Sequence, residues 1–151
     1  MAYKSKTTIT RPADTTAYTA GDVVGGAFKL AGMPGGNYDL LITSVALAVH
    51  ITAIPSGMTS FRQHLYSQAP SVIADNAPWD LPAADRAIYL GYIDLGSPAD
   101  VGSTLYVQAD QVNKHIRSGD DGVWGYLVTN GGYTPSSAAV ATVEAYAVAQ
   151  I

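Results

Sequence analysis

The stretch YDLLITSVALAVHITAI, residues 38–54, sets Val45, Leu47, Val49 and Ile51 on one face and Ser44, Ala46, Ala48, His50 and Thr52 on the other. Successive side chains of an extended chain point to opposite sides, so a period of two predicts a strand with one face in a core. Pro55-Ser56-Gly57 then ends the run with turn-forming residues. The same signature recurs on both sides of it. Val23 to Ala31, Ser60 to Ser67, Ala87 to Leu95, Ser103 to Ala109, Val112 to Arg117, Val123 to Thr129 and Ala138 to Gln150 all read as strands between Gly, Pro, Asn and Asp punctuation. Glutamate occurs once and no long apolar stretch repeats at 3.6 residues, so helices are not expected. About eight strands joined by short links predict a single all-β domain, a β-sandwich of jelly-roll type.

One link is long. Ala69 to Arg86 carries Pro70, Pro78 and Pro82 and reads as an ordered connection between sheets, with Asp75 or Asp85 placed to cap a brief helical turn. The first 21 residues also differ from the rest. They hold three of the eight basic residues (Lys4, Lys6, Arg11), six threonines, and only Tyr3, Ile9 and Tyr18 as large apolar anchors. The expectation is an extended N-terminal arm at 1–21 and a sandwich body at 22–151. Tyr3, Lys4, Lys6, Ile9 and Arg11 of the arm would then contact a neighbouring chain.

Composition narrows the function. The 151 residues include no cysteine, which excludes disulfides, thiolate metal sites and cysteine nucleophiles. A net charge of −4 and a pI near 5.0 do not suit a nucleic-acid partner. No run of 18 apolar residues spans a membrane, and MAYKSKTTITRPAD lacks the apolar core of a secretory signal, so synthesis and use without export are expected. Charged residues make up 13%, about half the roughly 25% usual for a soluble domain. Such a surface suits burial against other chains.

Catalytic signatures are missing: there is no GxSxG, Walker A, GxGxxG or HExxH pattern. His50, His64 and His115 stand far apart, and His64 and His115 sit on polar strand faces, where a solvated or interface role is expected. Asp75, Asn76, Asp80 and Asp85 supply oxygen ligands without the spacing of a calcium loop. No enzyme activity, cofactor or metal is expected. Ten tyrosines against two phenylalanines favour rings with one polar end at an interface, and Trp79 reads as an anchor in the long connection. In the last strand Ala141, Val143, Ala145 and Ala147 share one face. Alanines alone cannot fill a sheet-to-sheet gap of about 10 Å, so that face needs large residues opposite or a closely packed second subunit. The expectation is the subunit contact.

Two blocks, RPADTTAYTAGDVVGG (11–26) and IPSGMTSFRQHLYSQAPSVIADNAPWDLPAADRAIYLGYIDL (54–95), resemble small structural proteins of tailed bacteriophages. The family is that of capsid decoration, or cement, proteins; block 54–95 is the more specific. The resemblance implies a jelly-roll fold, a homotrimer, binding to the major capsid protein on the outer surface of the virion, and no catalytic residues. The alternative role is a tail-fibre or receptor-binding sandwich, in which Asp75, Trp79 and Asp80 would meet host glycans.

Overall fold

A computed structural model describes residues 1–150. Ten strands follow in order: β1 (Ala2–Thr10), β2 (Val23–Lys29), β3 (Asp39–Val49), β4 (Phe61–Tyr66), β5 (Tyr89–Leu95), β6 (Ala99–Asp100), β7 (Leu105–Ala109), β8 (Lys114–Arg117), β9 (Trp124–Thr129) and β10 (Val140–Ala149). One sheet runs β1-β10-β3-β7-β6, with β8 also paired to β3; the other runs β2-β9-β4-β5. Every pairing is antiparallel.

The pairs nest. β1 lies on β10, β2 on β9, β3 on β7 and β8, and β4 on β5. A chain folded back on itself in this way, then rolled so that β1 to β4 and again β8 to β10 enter alternate sheets, is a jelly roll. All eight strands expected from alternation are present. The additions are β1 and the two-residue β6.

The core lies between the sheets. Ile9, Leu40, Ile42, Val45, Leu47, Val49, Leu105 and Ile116 of the six-stranded sheet meet Val24, Phe28, Phe61, Leu65, Ile93, Leu95 and Leu127 of the four-stranded sheet in one buried cluster. Ala141, Val143, Ala145 and Ala147 belong to the same cluster, each 6% exposed or less. The alanine face is therefore an inner face and not a subunit contact. The bulk it lacks is supplied by the phenylalanines and leucines across the gap.

The expected arm is also placed differently. β1 pairs residue for residue with β10, from Ala2↔Val148 to Thr10↔Val140. Residues 2–10 are extended, as expected, but they form an edge strand of the body, with Ser5 and Ile9 buried. A strand on a sheet edge needs few apolar residues because one sheet-facing row suffices; Ile9 is that row's one large aliphatic residue. Gly25 makes room for it. Gly25 sits at φ +85, and a Cβ there would collide with Ile9 Cγ2.

Candidate interaction surface

The two sheets treat their outer faces in opposite ways. The four-stranded sheet is roofed by the connection 67–88. Beneath that roof Val23, Tyr66, Tyr126 and Val128 form a second buried cluster with Ile73, Trp79, Leu81, Ile88, Tyr89 and Trp124. The rings keep their polar ends satisfied. Tyr126 Oη donates to Ser71 O at 2.7 Å and accepts from Ile73 N at 2.8 Å, and Trp79 Nε1 donates to Tyr66 Oη at 2.9 Å. A single 3₁₀ turn, Ala83–Asp85, lies in the roof. No side chain caps it; Asp85 instead accepts from the backbone N–H and the hydroxyl of Ser71.

His64 is drawn into this layer. It is 2% exposed, its ring stacks on Trp79 at 3.7 Å between centroids, and Nδ1 lies 2.8 Å from Tyr89 Oη. Burial, with Arg62 nearby, pushes its pKa down to about 4. His64 is thus not the solvated or interface residue expected from its strand. Trp79 is not a free anchor either, since one ring face is taken by His64.

The front end of the roof is locked to the chain start. Arg11, 5% exposed, donates Nε to Tyr18 Oη at 2.6 Å and Nη1 to Asp14 O and Ser136 O, both at 2.9 Å. Its Nη2 lies 3.4 Å from Asp75. Tyr18 Oη donates to Asp75 Oδ1 at 2.5 Å, and Gly25 N donates to the same oxygen at 2.8 Å. Burial and the carboxylate push the Tyr18 phenol above its ordinary pKa, so it remains a donor. Arg11 is an internal tie and not a surface contact. Asp75 is spent in the same tie, which removes it from a glycan or calcium site. Among the described residues no group of three or more His, Asp or Glu is gathered as a metal would need.

Among the described residues the six-stranded sheet has no such roof. Its outward side chains fall in cross-strand rows: Lys4, Tyr146 and Ser44; Lys6, Glu144, Ala46 and Gln108; Thr8, Thr142, Ala48 and Tyr106. Small residues form the floor of a groove of about 340 Å³, lined by Lys6, Thr8, Ala46, Ala48, His50, Tyr106, Thr142 and Glu144. Charges on this face are mostly answered within it. Lys6 lies 3.8 Å from Glu144, Tyr146 Oη donates to Glu144, and Lys4 sits 5.6 Å above the Tyr146 ring. His50 Nε2 is 3.2 Å from Thr142 Oγ1. Tyr106 and Val148 remain 39% exposed. The result is a broad, weakly charged, shallowly grooved face.

Of the residues expected at contacts, the structure leaves Lys4 and Lys6 exposed here and Tyr3 half-buried against the core. It places Ile9, Arg11, Ala141, Val143, Ala145 and Ala147 inside and Trp79 under the roof. The face that remains is built from Ala46, Ala48, Tyr106, Thr142 and Glu144. Its signal in the sequence was the polar half of the same alternation that marked the core.

No protein-family model matches the sequence. No curated protein matches it either. Among solved structures the chain is similar to the capsid of Ralstonia phage GP4, at 14% identity and a TM-score of 0.45 over 100% of this chain and 84% of that one. It is similar to Desmodium yellow mottle tymovirus at 12% identity and a TM-score of 0.36, over 99% and 87%. A particle of Israeli acute paralysis virus gives 13% identity and a TM-score of 0.27, over 100% and 74%. The jelly-roll assignment rests on the strand order itself.

Proposed function

We propose that this chain is a non-enzymatic structural virion protein, a decoration or cement protein on the outer surface of a tailed-phage head. In this reading the outer face of the six-stranded sheet docks onto the major capsid protein. The observation that carries it is the asymmetry of the two outer faces. The chain roofs one sheet with residues 67–88 and leaves the other bare, weakly charged and shallowly grooved. Alanine and threonine floors let a second backbone approach closely, and Tyr106 and Tyr146 offer rings with a polar end, the side chains enriched at interfaces.

The resemblance to phage decoration proteins supports the same reading through the body. Block 54–95 builds β4, the roof and β5; block 11–26 supplies Arg11, Asp14 and Tyr18 of the tie and the first half of β2. A homotrimer fits the role, since three linked copies bind a symmetric lattice with avidity even where each contact is weak. The glycan-binding alternative loses two of its three residues, because Asp75 and Trp79 are committed internally.

The test is add-back. Purified protein mixed with phage heads lacking it should saturate at a fixed stoichiometry and raise the temperature at which heads disrupt. Attachment to tails or cell-surface glycans, or binding to heads with no gain in their stability, would overturn the proposal.

A further inference from the structure

The roof is unevenly held. Its first half is bonded to the sheet by backbone: Val23 N to Ala77 O, Asn76 N to Val23 O, and Trp79 N to Gly21 O. Asn76 Nδ2 also reaches Thr16 O and Ala17 O, and Asp75 holds Tyr18 and Gly25. Between Asp80 and Ala87 the described hydrogen bonds to residues outside this stretch shrink to those of Asp85, with Ser71 and with Ile88 N, both themselves part of the roof. That second half stays down through side chains, with Trp79 at its hinge and His64 beneath the indole.

We propose that His64 is an acid-sensitive latch: its protonation releases the Trp79 ring and lets residues 80–87 lift from the four-stranded sheet while the rest of the jelly roll stays folded. As the neutral base, the imidazole lies flat on Trp79 with an interplanar angle of 12° and pairs with Tyr89 Oη. It is buried, so a charge placed there loses its hydration.

The surroundings do not compensate. From β4 itself, Arg62 adds a like charge; from β5, Tyr89 and Tyr92 flank the ring and Asp94 is held by Arg62 Nε at 2.7 Å. From β9, Tyr126 pairs opposite His64 and is bonded to Ser71 and Ile73. In the roof, Asp75 and Asp85 are committed to Tyr18 and Ser71, Asp80 is exposed, and Arg86 is a second cation. No described hydrogen bond or ion pair brings a carboxylate to the imidazole. The depressed pKa of about 4 agrees with this geometry. Charging the ring is relieved most simply by letting water in, and the side with the fewest hydrogen bonds to the sheet is the stretch just beyond Trp79, residues 80–87.

The experiment follows Trp79 fluorescence from pH 8 to 3.5 in a Trp124→Phe background, beside NMR titration of the His64 ring protons and hydrogen exchange corrected for intrinsic rates. Expected are a single fluorescence transition coinciding with the His64 titration below pH 6.5, and loss of protection confined to residues 80–88. In His64→Gln the transition should vanish. Three results would overturn the latch. These are Trp79 emission that titrates identically in His64→Gln, titration of the ring with no change at Trp79, and a fall of protection in β3, β9 and the roof together, which is global acid unfolding.

Discussion

Gly25 shows how much one residue can decide here. Its positive φ, the hydrogen bond its N–H donates to Asp75 and the space it leaves for Ile9 meet at a single Cα. Gly25→Ala should cost about 1–2 kcal/mol for the left-handed backbone and about 1–3 kcal/mol more for overpacking against Ile9, read as a lower urea midpoint at unchanged m. His64 sets a pH dependence by its own sign. Its folded pKa of about 4 lies below the ordinary 6.5 of an unfolded histidine. The unfolded chain therefore binds the proton first as pH falls. The stability held by the neutral ring is complete above pH 6.5 and drains away toward pH 4. From 6.5 down to about 4, at 1.36 kcal/mol per pKa unit, the full loss is about 3 kcal/mol. Urea melts of wild type and His64→Gln should diverge across that window, the variant giving the flatter curve.

At the level of strands, alternation in the sequence found eight of the ten, because each had two or more large apolar residues in step. β1 escaped because Tyr3, Ser5, Thr7 and Ile9 offer one large aliphatic side chain between them, and pairing with β10 is a long-range event that no local pattern announces. If β1 belongs to the body, deleting residues 2–10 uncovers β10 and removes Ile9 from the core. The cost should be at least about 3 kcal/mol, a fall in Tm of roughly 6–12 °C for a domain this size; an unchanged melting curve would return β1 to the role of a passive arm. The alanine face of β10 was legible as a face, yet its direction depended on Phe28, Phe61 and Leu127 in the other sheet, which sequence spacing does not bring opposite. Ala145→Leu should therefore destabilise the isolated chain by about 1–3 kcal/mol, seen by thermal melting at any protein concentration. His64 was misread for a similar reason: the roof that buries it comes from residues around Trp79, across a proline-rich connection.

For the molecule as a whole, the jelly roll leaves four broad features: a sealed core, a roofed sheet, a bare sheet, and chain ends that meet where Ala149 N donates to Met1 O. The roof and the Arg11 tie take up Tyr18, Tyr66, Trp79, Tyr89, Trp124 and Tyr126 together with Arg11, His64 and Asp85, which leaves the weakly charged face of the six-stranded sheet for a partner. That face is the account's central claim. It is tested most directly by Ala48→Arg, which fills the groove floor between Thr142 and Tyr106 with a long charged side chain, measured by quantitative binding to phage heads lacking the protein. The account predicts a melting curve close to wild type and binding weakened by at least about tenfold, since a desolvated charge without a partner costs more than the 1.4 kcal/mol that corresponds to that factor. Wild-type affinity with the arginine in place would contradict it and move the docking surface elsewhere on the molecule.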